Sequence, residues 1–196
     1  MKSKFFFILF ITTSVVIFIY LTLVFYRQAV HKPRLPVLGQ VQNFTLYNSD
    51  GKEFSSRQLK GRVWIADFFF TTCSDICPMM TKHLSSIHQS LKIEKNVFLV
   101  SFTVNPEHDT PEVLAEYAKK LKADTKKWFF LTGPRDKITE IAVKSFKLGS
   151  MDEPVFHSSY FTLVDRYGLI RGYYDGMKQE NLAHLLKDAA ILLKDY

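Results

Sequence analysis

The chain has 196 residues and a net charge of +7, a length that fits one globular domain plus an appendage. Five of its 26 Lys/Arg and none of its 19 Asp/Glu fall in residues 1–34, leaving the remainder near +2. That is an ordinary surface, and it excludes a basic footprint for nucleic acid.

Residues 1–30 are expected to form a membrane anchor. Phe5 to Tyr26 is uncharged and mostly apolar, long enough to cross a bilayer as a helix, for which about 20 residues suffice. Lys2 and Lys4 precede it, and Arg27, Lys32 and Arg34 follow. No small-x-small cleavage site lies near its end, so the segment reads as uncleaved, and it holds no cysteine to accept a lipid. Basic residues on both sides leave the positive-inside rule nearly silent. A short N-terminal tail stays easily in the cytoplasm, which puts the C-terminal domain on the outer face of a single-pass protein.

Residues 31–40, with Pro33, Pro36 and Gly39, read as a linker, and 41–196 as the domain. Asn43 to Ser55 reads as a hairpin turning at Asn48-Ser49-Asp50-Gly51. Val63 to Phe70 is an apolar run broken only by Asp67, as in a strand buried on both faces. It ends at Thr71-Thr72 and delivers Cys73 and Cys77, the only two cysteines, with Pro78 next. Pro favours the first turn of a helix, so both thiols are placed where a buried strand becomes a helix. The unpaired N–H groups there favour thiolate over thiol. An i, i+4 spacing on one helical turn puts the two Cα atoms roughly 6 Å apart, within disulfide reach and close enough to share a soft metal ion.

Helical spacing continues through Met79, Met80, Leu84, Ile87 and Leu91. Asn96 to Val104 is a second apolar strand. In the loop Asn105–Pro111, Asp109 or Thr110 is placed to cap a helix carrying Val113, Leu114, Tyr117, Ala118 and Leu121. A short strand at Trp128–Leu131 and a helix through Ile138, Ile141, Ala142 and Phe146 follow. Tyr160–Val164 and Leu169–Tyr174 form a hairpin, and Asn181–Leu193 an amphipathic helix. This alternation is that of an α/β sandwich. With a thiol pair at a strand-to-helix junction it matches the thioredoxin-like architecture, here with an added N-terminal β-hairpin.

A metal on two thiolates needs a further ligand. His31 lies in the linker, and His83, His88 and His184 read as surface residues of helices. His108 borders the capping loop. His157 stands just before the strand Tyr160–Val164, in the loop that faces the redox pair in a thioredoxin-like fold; a hydrogen-bonded histidine at a strand edge is the equal competing reading. Two thiolates and one imidazole suit copper or zinc. Structural zinc usually takes four protein ligands, so an open three-ligand set suits transferable copper better. Asp75 reads as a turn cap, and Met79, Met80 and Met151 as core residues.

The segments TTCSDICP, VSFTVNPEHDTPEVLAEYA, WFFLTG and VFHSSYFTLVDRYG resemble those of the SCO/SenC family of copper-binding assembly proteins. The resemblance covers most of residues 40–196, and Cys-x3-Cys with a downstream His-Ser is its specific part. It implies a thioredoxin-like domain on the outer face of a membrane, binding a copper ion through Cys73, Cys77 and His157. It also implies a role in building the binuclear copper centre of cytochrome c oxidase, by delivering copper, by reducing that centre's cysteines, or both. The expected partner is the oxidase's copper-binding subunit, with other copper chaperones or thiol–disulfide oxidoreductases besides. Ser74 stands where the family commonly has Pro, and Asn105 where it has Asp. The oxidised form is expected to carry a Cys73–Cys77 disulfide, whose redox state gates metal loading.

The rival is a thiol–disulfide oxidoreductase for which copper is incidental. Its usual pair has two intervening residues rather than three. A peroxidatic cysteine at position 73 would want Pro and Thr or Ser where Ala66 and Phe70 stand. A metallochaperone is thus favoured over an enzyme.

Overall fold

The computed structural model describes the backbone of residues 2–30, 35–74, 76–91, 94, 96–149 and 158–194, with side chains of the first helix at positions 11–25 only. The chain divides into two compact units, Met1–Arg34 and Leu35–Tyr196. The first contains helix α1 (Lys2–Val30). Among the described residues no helix is long and apolar enough to cross a membrane. The expected span Phe5–Tyr26 is not reproduced among them. Within them Val16, Phe18, Tyr20 and Phe25 are exposed.

The second unit contains strands β1 (Gly39–Gln40), β2 (Thr45–Asn48), β3 (Glu53–Ser55), β4 (Val63–Phe69), β5 (Val97–Thr103), β6 (Trp128–Thr132), β7 (Tyr160–Val164) and β8 (Leu169–Asp175). They form one mixed sheet in the order β1-β8-β7-β4-β5-β6-β2-β3. β4, β5 and β6 run parallel, in register from Val63↔Val97 to Phe69↔Thr103 across the first pair. β7 pairs antiparallel with β4. The helices are α2 (Cys77–Ser90), α3 (Pro111–Lys120), α4 (Arg135–Glu140), which continues into a π turn at Ile141–Ser145, and α5 (Gln179–Lys194).

Every residue of β4 is buried, because helices cover both faces of a central parallel strand. Val63, Ile65 and Phe69 point to one face and pack with Met80, Leu84 and Ile87 of α2, Leu114 of α3 and Leu185 of α5. Trp64, Ala66 and Phe68 point to the other and pack with Phe54, Ile138 and Phe146. This is the thioredoxin-like α/β sandwich expected from the alternation. The added hairpin is present too. β2 and β3 pair antiparallel at Leu46↔Phe54, and β2 joins the sheet edge at Tyr47↔Thr132. Its turn is held by Asn48, whose Oδ1 accepts from the N–H of Asp50 at 3.0 Å and of Lys52 at 2.9 Å. Gly51 takes the left-handed φ of +71° that the turn requires.

Gly39–Gln40, within the segment read as linker, forms β1, pairing with β8 at Gly39↔Ile170. Arg171 donates to the Leu35 carbonyl oxygen at 2.5 Å, so the incoming chain is fastened from Leu35 on.

Candidate metal and redox site

β4 leaves the sheet at Phe70. There Val104 N–H donates to the Phe69 carbonyl at 2.8 Å and Cys73 N–H to the Phe70 carbonyl at 3.2 Å. Cys73 lies in this turn, half-buried; Cys77 is the first residue of α2 and 3% exposed. The two therefore do not share a helical turn, contrary to the i, i+4 expectation. What brings them together is the loop geometry. Both are free thiols, near enough that Cys73 acts on the Cys77 thiol through hydrogen bonding and charge.

The expectation of a helix-stabilised thiolate also fails at Cys77. Burial pushes that thiol up to about 12, the hydrogen bond to Cys73 adds to it, and the charges of Cys73 and Asp67 act the same way. Backbone hydrogen bonding at Phe70 opposes them, more weakly than burial and the Cys73 hydrogen bond but more strongly than either charge. Desolvation thus outweighs the helix N-terminus. At neutral pH Cys77 is a thiol, and a metal binding there must displace its proton.

Asp67 sits on the Cys77 side of the sheet, in the alternation of Ile65 and Phe69. It is 4% exposed, and burial raises its carboxyl to about 7, with the Ser101 hydroxyl opposing. Ser101 Oγ donates to Asp67 Oδ1 at 2.5 Å and accepts from Trp128 Nε1 at 2.8 Å. Tyr117, stacked on Phe69 at 5.4 Å, bonds Thr81 Oγ1 at 2.9 Å; burial first raises its phenol to about 12, and it too feels the charges of Asp67 and both sulfurs. The thiol pair therefore adjoins an apolar wall carrying one buried acid and one half-buried phenol.

The cysteine turn is held from outside by Asp109, which is fully buried. Its carboxylate accepts from Thr71 N–H at 3.0 Å, from Thr71 Oγ1 at 2.5 Å and from Thr103 Oγ1 at 2.5 Å. His108 Nδ1 lies 2.9 Å from the same group. Thr110 is the N-cap of α3, its Oγ1 accepting from Val113 N–H at 3.4 Å. Of the two capping candidates Thr110 does the capping, and Asp109 is left to tie the loop after β5 to the loop before Cys73.

His157 lies outside the described residues, as do His31, Asp75 and Met151. Among the described residues no group of three or more His, Cys, Asp and Glu is gathered as for a metal. His184 is exposed, as expected. His88, read as a surface residue, is buried: its Nε2 accepts from Asp124 N–H at 3.2 Å and its ring lies 5.5 Å from Trp128. His83, also read as surface, is half-buried, with Nδ1 2.6 Å from the Gly176 carbonyl oxygen. Met80 is core, but Met79 is 47% exposed, since its place on the first turn of α2 points away from the sheet. Sequence reasoning gave no site role to Asp67, Asp109 or Tyr117. Asp67 carried a signal, as the one acid in an apolar strand; Asp109 and Tyr117 read as ordinary cap and core residues.

Two adjacent sulfurs at the end of a buried strand suit a soft ion or a dithiol–disulfide couple. The SCO1/SenC family model matches residues 38–191. The chain belongs to the SCO1/SenC family. Within that family it is 38% identical over 159 residues to the SCO1 protein homolog of Bacillus subtilis (strain 168), covering 78% of this chain and 82% of that protein. It is similar to the solved structure of BsSco, a member of the Sco family of cytochrome c oxidase assembly proteins in which a disulfide switch was identified. There the identity is 37%, the TM-score 0.70, and the coverage 81% of this chain and 97% of that one. A copper-bound ScoI of Arabidopsis thaliana aligns at TM-score 0.64 and 27% identity, over 81% of this chain and 99% of that one. The SCO1/SenC membership accounts for the thioredoxin-like sandwich, and the cysteine turn lies inside the matched span.

Proposed function

We propose that the protein is a copper-carrying assembly factor for cytochrome c oxidase. Cys73 and Cys77 are the thiolate ligands and His157 the imidazole ligand. The observation that carries this is the pair of free thiols brought together at the end of β4, in a chain similar to a copper-bound ScoI. The donor set is soft, and a monovalent copper ion fits it. Copper is cargo here, and Cys77 gives up a proton on loading and regains it on release. Oxidation of the pair to a disulfide removes both sulfurs from the ion, so redox state gates loading. The oxidase's copper-binding subunit is the client, with other copper chaperones or thiol–disulfide oxidoreductases supplying metal or electrons. Phe5–Tyr26 anchors the chain as a single span, with the domain on the outer face.

Titration of the reduced full chain in detergent with Cu(I) tests the reading. Uptake of about one ion per chain, lost in Cys73→Ser and weakened at least about ten-fold in His157→Ala, is the expected result. No uptake, or a His157→Ala variant that binds as the wild type does, refutes the assigned site. The second reading, a thiol–disulfide oxidoreductase, draws on the two neighbouring free thiols of the dithiol form. It requires exchange with a partner disulfide that is indifferent to His157.

A further inference from the structure

His83 lies on α2, less than two turns after Cys77, and is half-buried. Its Nδ1 is 2.6 Å from the Gly176 carbonyl oxygen. A carbonyl only accepts, so Nδ1 carries the proton and donates it. Gly176, buried just past the end of β8, donates its own N–H to the Ser159 carbonyl at 2.6 Å. The corner is tight: a Cβ at position 176 would fall 2.8 Å from the Phe161 ring and 3.1 Å from the Ser159 carbonyl oxygen. Ser159 stands at the entry to β7, where Tyr160 pairs with Asp175. The residue before it, Ser158, is buried, and its Oγ accepts from Tyr160 N–H at 3.2 Å. Ser158 is the chain neighbour of His157. A chain of hydrogen bonds thus runs from α2, which begins at Cys77, through Gly176 to the backbone two residues after His157.

Met80, Leu84 and Ile87 of α2 share an apolar cluster with Phe161 and Leu163 of β7. Apolar burial is non-directional and sets no particular slide of a helix along a strand. A short hydrogen bond to a buried carbonyl does set one, and metal ligands need placing to within about 0.5 Å. The opposite flank of α2 is tied to α3, through Thr81 Oγ1 and the Tyr117 hydroxyl at 2.9 Å. We infer that His83 is a positioning residue for copper binding. It holds the entry to β7, which supplies His157, in register with α2, which supplies Cys77. The inference rests on the copper site proposed above, and it gives His83 no contact with the ion.

The test is a double-mutant cycle on Cu(I) affinity, measured on the reduced full chain in detergent by competition with a chromophoric Cu(I) chelator. Wild type, His83→Leu and His83→Asn are compared, each with His157 intact and in the His157→Ala background. Leu lacks the donor; Asn carries an amide N–H as many bonds from the backbone as Nδ1. With His157 intact, His83→Leu is expected to weaken binding about five-fold or more, and His83→Asn to restore most of it. In the His157→Ala background the same change should move affinity by less than about two-fold. A loss of equal size in both backgrounds makes His83 a structural residue of α2 and overturns the inference. So does a His83→Leu variant that binds as the wild type does. If His83→Leu does not fold, His83→Gln, whose amide reaches one bond too far, takes its place with the same two outcomes. Wild-type binding that depends on His157 but not on His83 removes this inference alone. No copper uptake by the wild type removes the site and the inference together.

Discussion

Cys77 and Asp67 lie on the same face of the sheet, and burial drives both toward their neutral forms. For Asp67 the raised value, about 7 against 3.8, has a defined sign. Between those pH values the folded chain holds a proton that the unfolded chain has lost. Stability therefore falls as pH rises from about 4 to about 7 and levels off above. The full drop is of the order of 4 kcal/mol. Asp67→Asn still accepts from Ser101 and does not titrate, so urea midpoints measured from pH 4 to 8 should lose that slope. For Cys77 the consequence is kinetic. Iodoacetamide at pH 7.5, followed by mass spectrometry, should label Cys73 first. In Cys73→Ser, Cys77 should react at least about ten-fold more slowly than an ordinary exposed thiol. Equal labelling of both sulfurs would contradict the burial argument.

At the scale of elements, the cysteine turn is a short link between β4 and α2 that no ladder holds. Asp109 supplies the missing constraint from the loop between β5 and α3, through Thr71 and Thr103. Removing it leaves the buried Thr103 hydroxyl and the half-buried Thr71 hydroxyl without this acceptor. Asp109→Ala should cost about 3 kcal/mol, since charged hydrogen bonds are lost and buried groups are stranded. Thr110→Ala, which removes only the α3 cap, should cost about 1 kcal/mol. Denaturant unfolding of both variants checks the order. Copper affinity separates the roles further: Asp109→Ala should weaken it by loosening the turn, and Thr110→Ala should leave it unchanged.

On the scale of the molecule, the sheet carries the thiol pair at one end of β4. The central strand is buried on both faces, so chemistry is confined to its ends, as in open α/β sheets generally. The N-terminal helix adds the anchoring expectation, drawn from Phe5–Tyr26. A single span predicts that the full chain resists alkaline carbonate extraction and is released by detergent. A chain starting at Leu35 should be released without detergent. Carbonate release of the full chain would remove the anchor from the proposed function.

The sequence alone carried the sandwich, the added hairpin and the place of both cysteines. Each is written in local terms: period-2 and period-3.6 apolar patterns, an Asn-Ser-Asp-Gly turn, a Pro after Cys77. The protonation of the pair and the fastening of its turn are not local. Thr71 and Asp109 are 38 positions apart, and Asp67 meets Ser101 only because β4 and β5 align in one register. Helix-terminus reasoning pointed Cys77 toward thiolate, and burial reversed it, because desolvation depends on what packs over a residue rather than on its neighbours in the chain. His88 shows the same limit, since only the packed face of α2 against Trp128 and Asp124 decides that it is buried.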